Sequence, residues 1–293
     1  MSLIQDIAQS MRPRQWTKNL LVFAAILFAG KAGDMEAVRQ VVAGFAAFCL
    51  LSGAVYLLND SLDADRDRLH PQKCNRPIAA GRIPVYEGLL LAVFFGLFGL
   101  TVSYFITYGF FITSVLYLLL TTAYTLWLKH VVILDVLAVS LGYVLRAVAG
   151  AEAISVEISP WLVICTLLLT LFLAMAKRRS EIVEFEEDAV NHREALREYS
   201  PQLLDQMIAV VTASTVVTYC LYTVDTRTLQ VVGTQNLVYT VPLVLYGIFR
   251  YLYLMHQKKL GGQPDQLLLT DAPLLLTVVL YAATVGVILY FWR

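Results

Sequence analysis

Charge is what this sequence has least of. Only 15% of its 293 residues are Asp, Glu, Lys or Arg, too few to solvate a water-soluble domain, while 58% are hydrophobic and the mean hydropathy is +0.67. Its four cysteines include no Cys-x-x-Cys pair. Cys49, Cys165 and Cys220 lie in apolar runs and Cys74 in a polar loop, so no disulfide framework or zinc site is expected. There is no low-complexity tract, linker or soluble appendage, and no cleavable leader is expected, because a polar segment precedes the first apolar run. The formal net charge is zero, and no nucleic-acid partner is expected.

What the chain does have is apolar length. Runs able to cross roughly 30 Å of hydrocarbon occur at 16–31, 38–58, 85–106, 109–128, 131–150, 160–177, 206–224, 236–255 and 273–291. The expected fold is therefore an all-α integral membrane protein of about nine transmembrane helices, forming one membrane-embedded domain over residues 1–293. Placing the N-terminus in the cytoplasm puts seventeen Lys and Arg inside and four outside, with Arg146 inside a span. That asymmetry orients the chain N-terminus in, C-terminus out (periplasmic). Trp16, Trp127, Trp161 and Trp292 fall at span ends, where an amphipathic ring prefers to sit. The long charged loops, 59–84 and 178–205, both fall inside, which makes the cytoplasmic face the working one.

The first loop carries the densest chemistry. Asn59-Asp60-x-x-Asp63-x-x-x-Asp67 places three aspartates at i, i+3 and i+7, within about 60° on one face of a continued helix. Three aligned carboxylates repel unless a cation sits among them, and all-oxygen ligation suits Mg²⁺, which usually brings phosphates with it. His70, Lys73 and Arg76 follow, cations suited to the phosphate charge that a metal leaves over. The bland alternative is an ordinary charged loop.

Other polar residues are spread more thinly. Lys177-Arg178-Arg179-Ser180-Glu181 opens a second acidic patch in which Glu181, Glu184 and Asp188 repeat the i, i+3, i+7 spacing. Four crossings separate the patches, so both emerge on one side, as in two related halves facing a shared cleft. Asp135 and Arg146 lie in one apolar run, about 20° apart around a helix, and should turn inward to a partner or a ligand. Tyr124 and Lys129 close another run at the cytoplasmic mouth, where Lys129 could equally reach the lipid headgroups. Near the N-terminus Arg12, Arg14 and Lys18 could anchor to anionic lipid, yet Gln15, Lys18 and Asn19 at i, i+3 and i+4 also suit phosphate oxygens.

The Asn59 to Asp67 motif resembles the diphosphate-binding signature of the UbiA superfamily of intramembrane prenyltransferases. Within it, Arg12 to Asn19, His70 to Ala79, Tyr124 to Lys129, Lys177 to Glu181 and Tyr246 to Tyr251 are similar to the branch that acts on polyprenyl phosphates. The resemblance implies a Mg²⁺-dependent transfer of a 5-phosphoribosyl group from phosphoribosyl diphosphate to a polyprenyl phosphate, releasing diphosphate, as a step towards envelope glycans. It implies metal binding by Asp60, Asp63 and Asp67, and substrate contacts from Lys18, Asn59, Lys73, Arg76, Tyr124, Lys129, Arg146, Lys177, Arg178 and Glu181. A bacterial inner membrane is the expected location, the lipid bilayer the expected partner, and a homo-oligomer is compatible with it. Aromatic prenyltransferases of the superfamily carry an aspartate-rich second motif where this chain has Lys-Arg-Arg-Ser-Glu. Prenyl transfer to an aromatic acceptor and transport of an anionic lipid stay as alternatives.

Overall fold

Four helices of the computed structural model, which describes residues 3–71, 73–184, 198–258, 260–262 and 264–291, start where a short polar side chain caps them. Asp34, Ser200, Asp225 and Asp271 each accept from backbone N–H groups two or three residues on, at 2.9–3.4 Å. The α-helices are α1 (Leu3–Ser10), α2 (Ala24–Phe28), α3 (Met35–Leu62), α4 (Ala64–Arg68), α5 (Val85–Ile106), α6 (Tyr108–Leu126), α7 (Leu134–Ala153), α8 (Pro160–Glu184), α9 (Pro201–Val224), α10 (Thr226–Val232), α11 (Val241–Gln257), α12 (Pro264–Thr270) and α13 (Ala272–Phe291). No strand occurs among the described residues.

Eight helical segments among the described residues are long and apolar enough to cross a membrane. The expected first span differs in kind. It begins as a 3-10 helix, Pro13–Phe23, and only then becomes α2. A 3-10 helix rises about 2.0 Å per residue, so this stretch and α2 together reach roughly 30 Å, a bilayer core's thickness, with fewer residues than an α-helix needs. Three residues per turn also stack Pro13, Trp16, Asn19 and Val22 in one row, and Asn19 and Val22 are fully buried. Gln15, Lys18 and Asn19 therefore do not share a face as an α-helix would have them do.

The charged loops are shorter than the sequence suggests. α3 runs on through Asn59 and Asp60, α8 through Glu184, and α9 starts at Pro201. Glu186, Glu187, Asp188 and Trp292 lie outside the described residues, as does the side chain of Glu184.

The chain resolves into two compact units. The first comprises Met1–Leu27, Lys31–Leu126 and Leu145–Ile158. In it α5 lies along α3, and Gly99 lets them approach, since a Cβ there would sit 2.8 Å from Leu51 Cδ2. One cluster gathers Val22, Phe48, Leu51, Phe110 and Tyr117, and another sets Met11, Leu57, Ile78 and Ile83 beneath the aspartate segment. The second unit, Phe28–Gly30, Trp127–Val144 and Ser159–Arg293, packs around Phe172, Met175, Leu204, Ile208 and Tyr251.

Candidate functional site

The aspartate segment sits where α3 gives way to α4. Asp63 leaves helical geometry at φ −92°, ψ 7°, yet its N–H still donates to Asn59 O at 2.9 Å and its carbonyl accepts from Asp67 N at 2.8 Å. The helix is bent rather than broken, so Asp60 and Asp67 keep the common face that their spacing predicts. Both are buried, at 2% and 4% exposure, while Asp63 is half-buried and Asp65 exposed.

Buried carboxylates need cationic partners, and here two arginines provide them. Arg76 Nη1 donates to Asp60 Oδ1 at 3.0 Å and to Asp67 Oδ2 at 2.6 Å, and Arg12 Nη2 donates to the same Oδ1 of Asp60. Arg12 reaches in from the left-handed residue that precedes Pro13 (φ 52°), its guanidinium 4.7 Å from the centroid of the Tyr56 ring. Arg76 arrives on the turn after the Lys73–Asn75 3-10 helix, and the buried Pro77, Ile78 and Ala79 fix that turn. A further ion pair, Arg82 Nε to Asp6 Oδ1 at 2.7 Å, ties the same loop to α1.

Asp60 and Asp67 converge on one nitrogen of Arg76, so both carboxylates already point at one cationic spot. Two oxygen donors aimed together fit a hard divalent cation, because Mg²⁺ is commonly held by one or two carboxylates plus substrate phosphate and water. Among the described residues no three His, Cys, Asp or Glu side chains are gathered to hold a metal. Two of the three predicted aspartates are brought together, and Asp63 stands at the bend between them.

Arg146 lies in the same unit. It is buried, with Nε donating to Asn19 Oδ1 at 2.8 Å and Nη2 to the Tyr117 hydroxyl at 2.8 Å. Asn19 in turn donates to Ser52 Oγ at 3.2 Å and Cys49 Sγ at 3.4 Å. Asn19 is thus tied into the protein interior, contrary to the expectation that it faces phosphate.

The second unit resolves Asp135 differently from the sequence pattern. Asp135 Oδ2 accepts from Arg178 Nε at 2.7 Å and its Oδ1 from the Tyr199 hydroxyl at 2.8 Å, while Arg178 Nη1 donates to Glu181 Oε2 at 2.8 Å. Asp135 and Arg146 share a helix stripe but turn to different partners. Burial, then the charge of Asp135, pushes the Tyr199 phenol above its ordinary range. Tyr199 Oη also accepts from Ile133 N at 2.7 Å, so the phenol staples the start of α7. Lys177 is exposed on α8, and Tyr124 and Lys129 are half-buried, as are Lys18, Asn59 and Lys73. At α13, Asp271 pairs with Arg250 at 2.7 and 3.1 Å, which holds its carboxyl below the usual aspartate range.

Arg12, expected at the N-terminus only as a lipid anchor, and Tyr199, not among the expected residues, are the partners that the sequence pattern does not reveal. Arg12 lies 48 residues from Asp60, and apart from its charge nothing local announces the pairing.

The sequence profile of the UbiA prenyltransferase family matches residues 20–269. Decaprenyl-phosphate phosphoribosyltransferase from Mycolicibacterium smegmatis is 31% identical over 300 residues, covering 99% of this chain and 94% of that protein. The protein of the same name from Corynebacterium glutamicum is 33% identical over 275 residues, covering 92% and 82%. Among solved structures, a UbiA homologue from Archaeoglobus fulgidus bound to GPP and Mg²⁺ superposes with a TM-score of 0.75 at 19% identity, covering 97% of this chain and 99% of that one.

Proposed function

This chain belongs to the UbiA prenyltransferase family and is a multi-pass membrane transferase of that superfamily, and from that premise we propose that it moves a 5-phosphoribosyl group from phosphoribosyl diphosphate to a polyprenyl phosphate. The observation that carries the proposal is the convergence of Asp60 and Asp67 on Arg76, with Arg12 beside them, at the end of a membrane-crossing helix. Relatives at 31–33% identity that bear the name of this activity support it.

In the reaction the bond between the ribose anomeric carbon and the diphosphate oxygen breaks, and its electron pair leaves with diphosphate. An oxygen of the acceptor phosphate forms the new bond to that carbon. The acceptor is already an anion, so no general base is needed, and the chain's four histidines need no catalytic role. Asp60 and Asp67, with Asp63 at the bend, would hold Mg²⁺, which when bound supplies charge neutralisation on the donor's diphosphate. Arg76 and Lys73 stabilise the negative charge that collects on the leaving group, and Asn59, one residue before Asp60, orients a ligand of the site. Lys18, Tyr124 and Arg146, which lie in the same unit as Asp60, are assigned to the remaining phosphate and ribose contacts. Arg178, already bonded to Asp135 and Glu181, positions Glu181. The working face is cytoplasmic in a bacterial inner membrane.

Purified protein given labelled phosphoribosyl diphosphate, polyprenyl phosphate and Mg²⁺ is expected to yield a phosphoribosylated lipid, identified by mass spectrometry. Label that stays in the donor, together with prenylation of an aromatic acceptor when prenyl diphosphate is offered, would overturn the reading.

A further inference from the structure

One oxygen, Asp60 Oδ1, is claimed twice. Arg12 Nη2 and Arg76 Nη1 both donate to it, and the same Arg76 nitrogen also holds Asp67 Oδ2 at 2.6 Å. A carboxylate oxygen offers about two lone pairs, and two N–H donors use both. Two guanidinium groups against two carboxylates also bring the local charge to zero. A divalent cation alone would meet a filled oxygen and two positive neighbours, and Mg²⁺ gives up its hydration water reluctantly.

A diphosphate changes that balance. Its oxygens accept guanidinium N–H bonds well and can ligate the cation at the same time. Both arginines stand on fixed backbone: Arg12 caps the Pro13–Phe23 helix beside the Tyr56 ring, and Arg76 leads into the buried Pro77–Ala79 turn. Their guanidinium groups can therefore change partner by side-chain rotation alone. We propose that Arg12 and Arg76 form a charge-exchange pair, which holds Asp60 and Asp67 until a metal–diphosphate complex enters and then passes to the diphosphate as the cation takes the carboxylates. The inference rests on the reading of this segment as a metal–diphosphate site, and it makes Arg12 a donor-binding residue. Two consequences follow: the cation alone binds weakly, and cation and diphosphate strengthen each other's binding by the same factor.

The test is Mn²⁺ binding to the full chain in detergent, read by electron paramagnetic resonance, first with no substrate and then with inorganic diphosphate. Removing the competing cation by Arg12→Gln is expected to tighten Mn²⁺ binding without diphosphate by on the order of tenfold. The same variant should lose most of the gain that diphosphate gives the unaltered chain, and Arg12→Lys should fall between the two. If Arg12→Gln does not fold, Arg76→Gln carries the same expectation. A pair that merely fastened the loop would, once broken, lower the melting temperature and leave Mn²⁺ affinity unchanged or weaker, and that result overturns the exchange. Asp60→Asn should abolish this Mn²⁺ signal; if it does not, the cation binds elsewhere and the inference also falls. The lipid product is read in a separate assay, so a chain that made another product yet showed this linkage would keep the exchange and lose only the identity of the donor.

Discussion

Asp60 and Asp67 owe their burial to Arg12 and Arg76, and this pairing separates the effects of single substitutions. Asp60→Asn or Asp67→Asn keeps the side-chain shape and one hydrogen-bond acceptor but removes the charge that a cation needs. Turnover is expected to fall by roughly 10²-fold or more in a chain that still folds in detergent but melts lower, because a buried ion pair is broken; activity within a few fold of the unaltered chain would remove the metal role. Arg146→Ala is different in kind, because it strips Asn19 and Tyr117 of a buried donor at once. A loss of about 1–3 kcal/mol in stability is expected together with loss of activity, and full activity would return Arg146 to a purely structural post. Tyr199→Phe removes the hydroxyl that bridges Asp135 and Ile133, at a cost of about 1–2 kcal/mol. The sign of its pH effect follows from the raised phenol. Folding favours the neutral form, so this stabilisation is full below the ordinary tyrosine range, about pH 10, and is lost as pH climbs towards the higher folded value. Thermal melts from pH 8 upward should therefore fall more steeply for the unaltered chain than for Tyr199→Phe.

At the scale of elements, the 3-10 helix, which also bonds to α3 through Asn19, lies hard against α7 at one glycine. A Cβ at Gly150 of α7 would collide with the carbonyl oxygen of Val22. The atom in the way is backbone and cannot rotate aside, so Gly150→Ala must push helix and 3-10 segment apart. A destabilisation of about 1–3 kcal/mol is expected. Because Asn19 stands one turn from Val22, the Asn19 to Arg146 hydrogen bond should weaken with it, and activity should fall as well as melting temperature. A variant with unaltered melting would show that the segment tolerates displacement. The apolar runs made these elements legible: eight of nine expected spans appear among the described residues as helices long enough to cross a membrane, with ends within about six residues of those expected. The 3-10 character of the remaining one was not legible, because hydropathy counts residues and not rise per residue.

For the whole molecule, the charge asymmetry makes a topological prediction that the chain's own cysteines can test. Cys74 lies in the aspartate loop and is partly exposed, whereas Cys49, Cys165 and Cys220 sit within apolar helices. A membrane-impermeant maleimide should label Cys74 in inverted membrane vesicles and not in intact cells, and Cys74→Ser should abolish the labelling. Labelling from outside would reverse the assigned orientation. Family membership was legible at this scale too, since the Asn59 to Asp67 motif and the basic continuation to Arg76 lie in one contiguous stretch.

By itself the sequence determined that the protein is membrane-embedded and helical, roughly where eight of its long apolar helices fall, and that Asp60 and Asp67 share a face. These follow from hydrophobic runs and helical period, which are local properties of a chain. Tertiary structure alone decided which charges meet: Arg12 with Asp60, Arg178 and Tyr199 with Asp135, Asn19 and Tyr117 with Arg146. Each of these partners is tens of residues away or more, and a buried charge accepts whichever complementary group the packing of helices brings within about 3 Å; no periodicity along the chain encodes that choice.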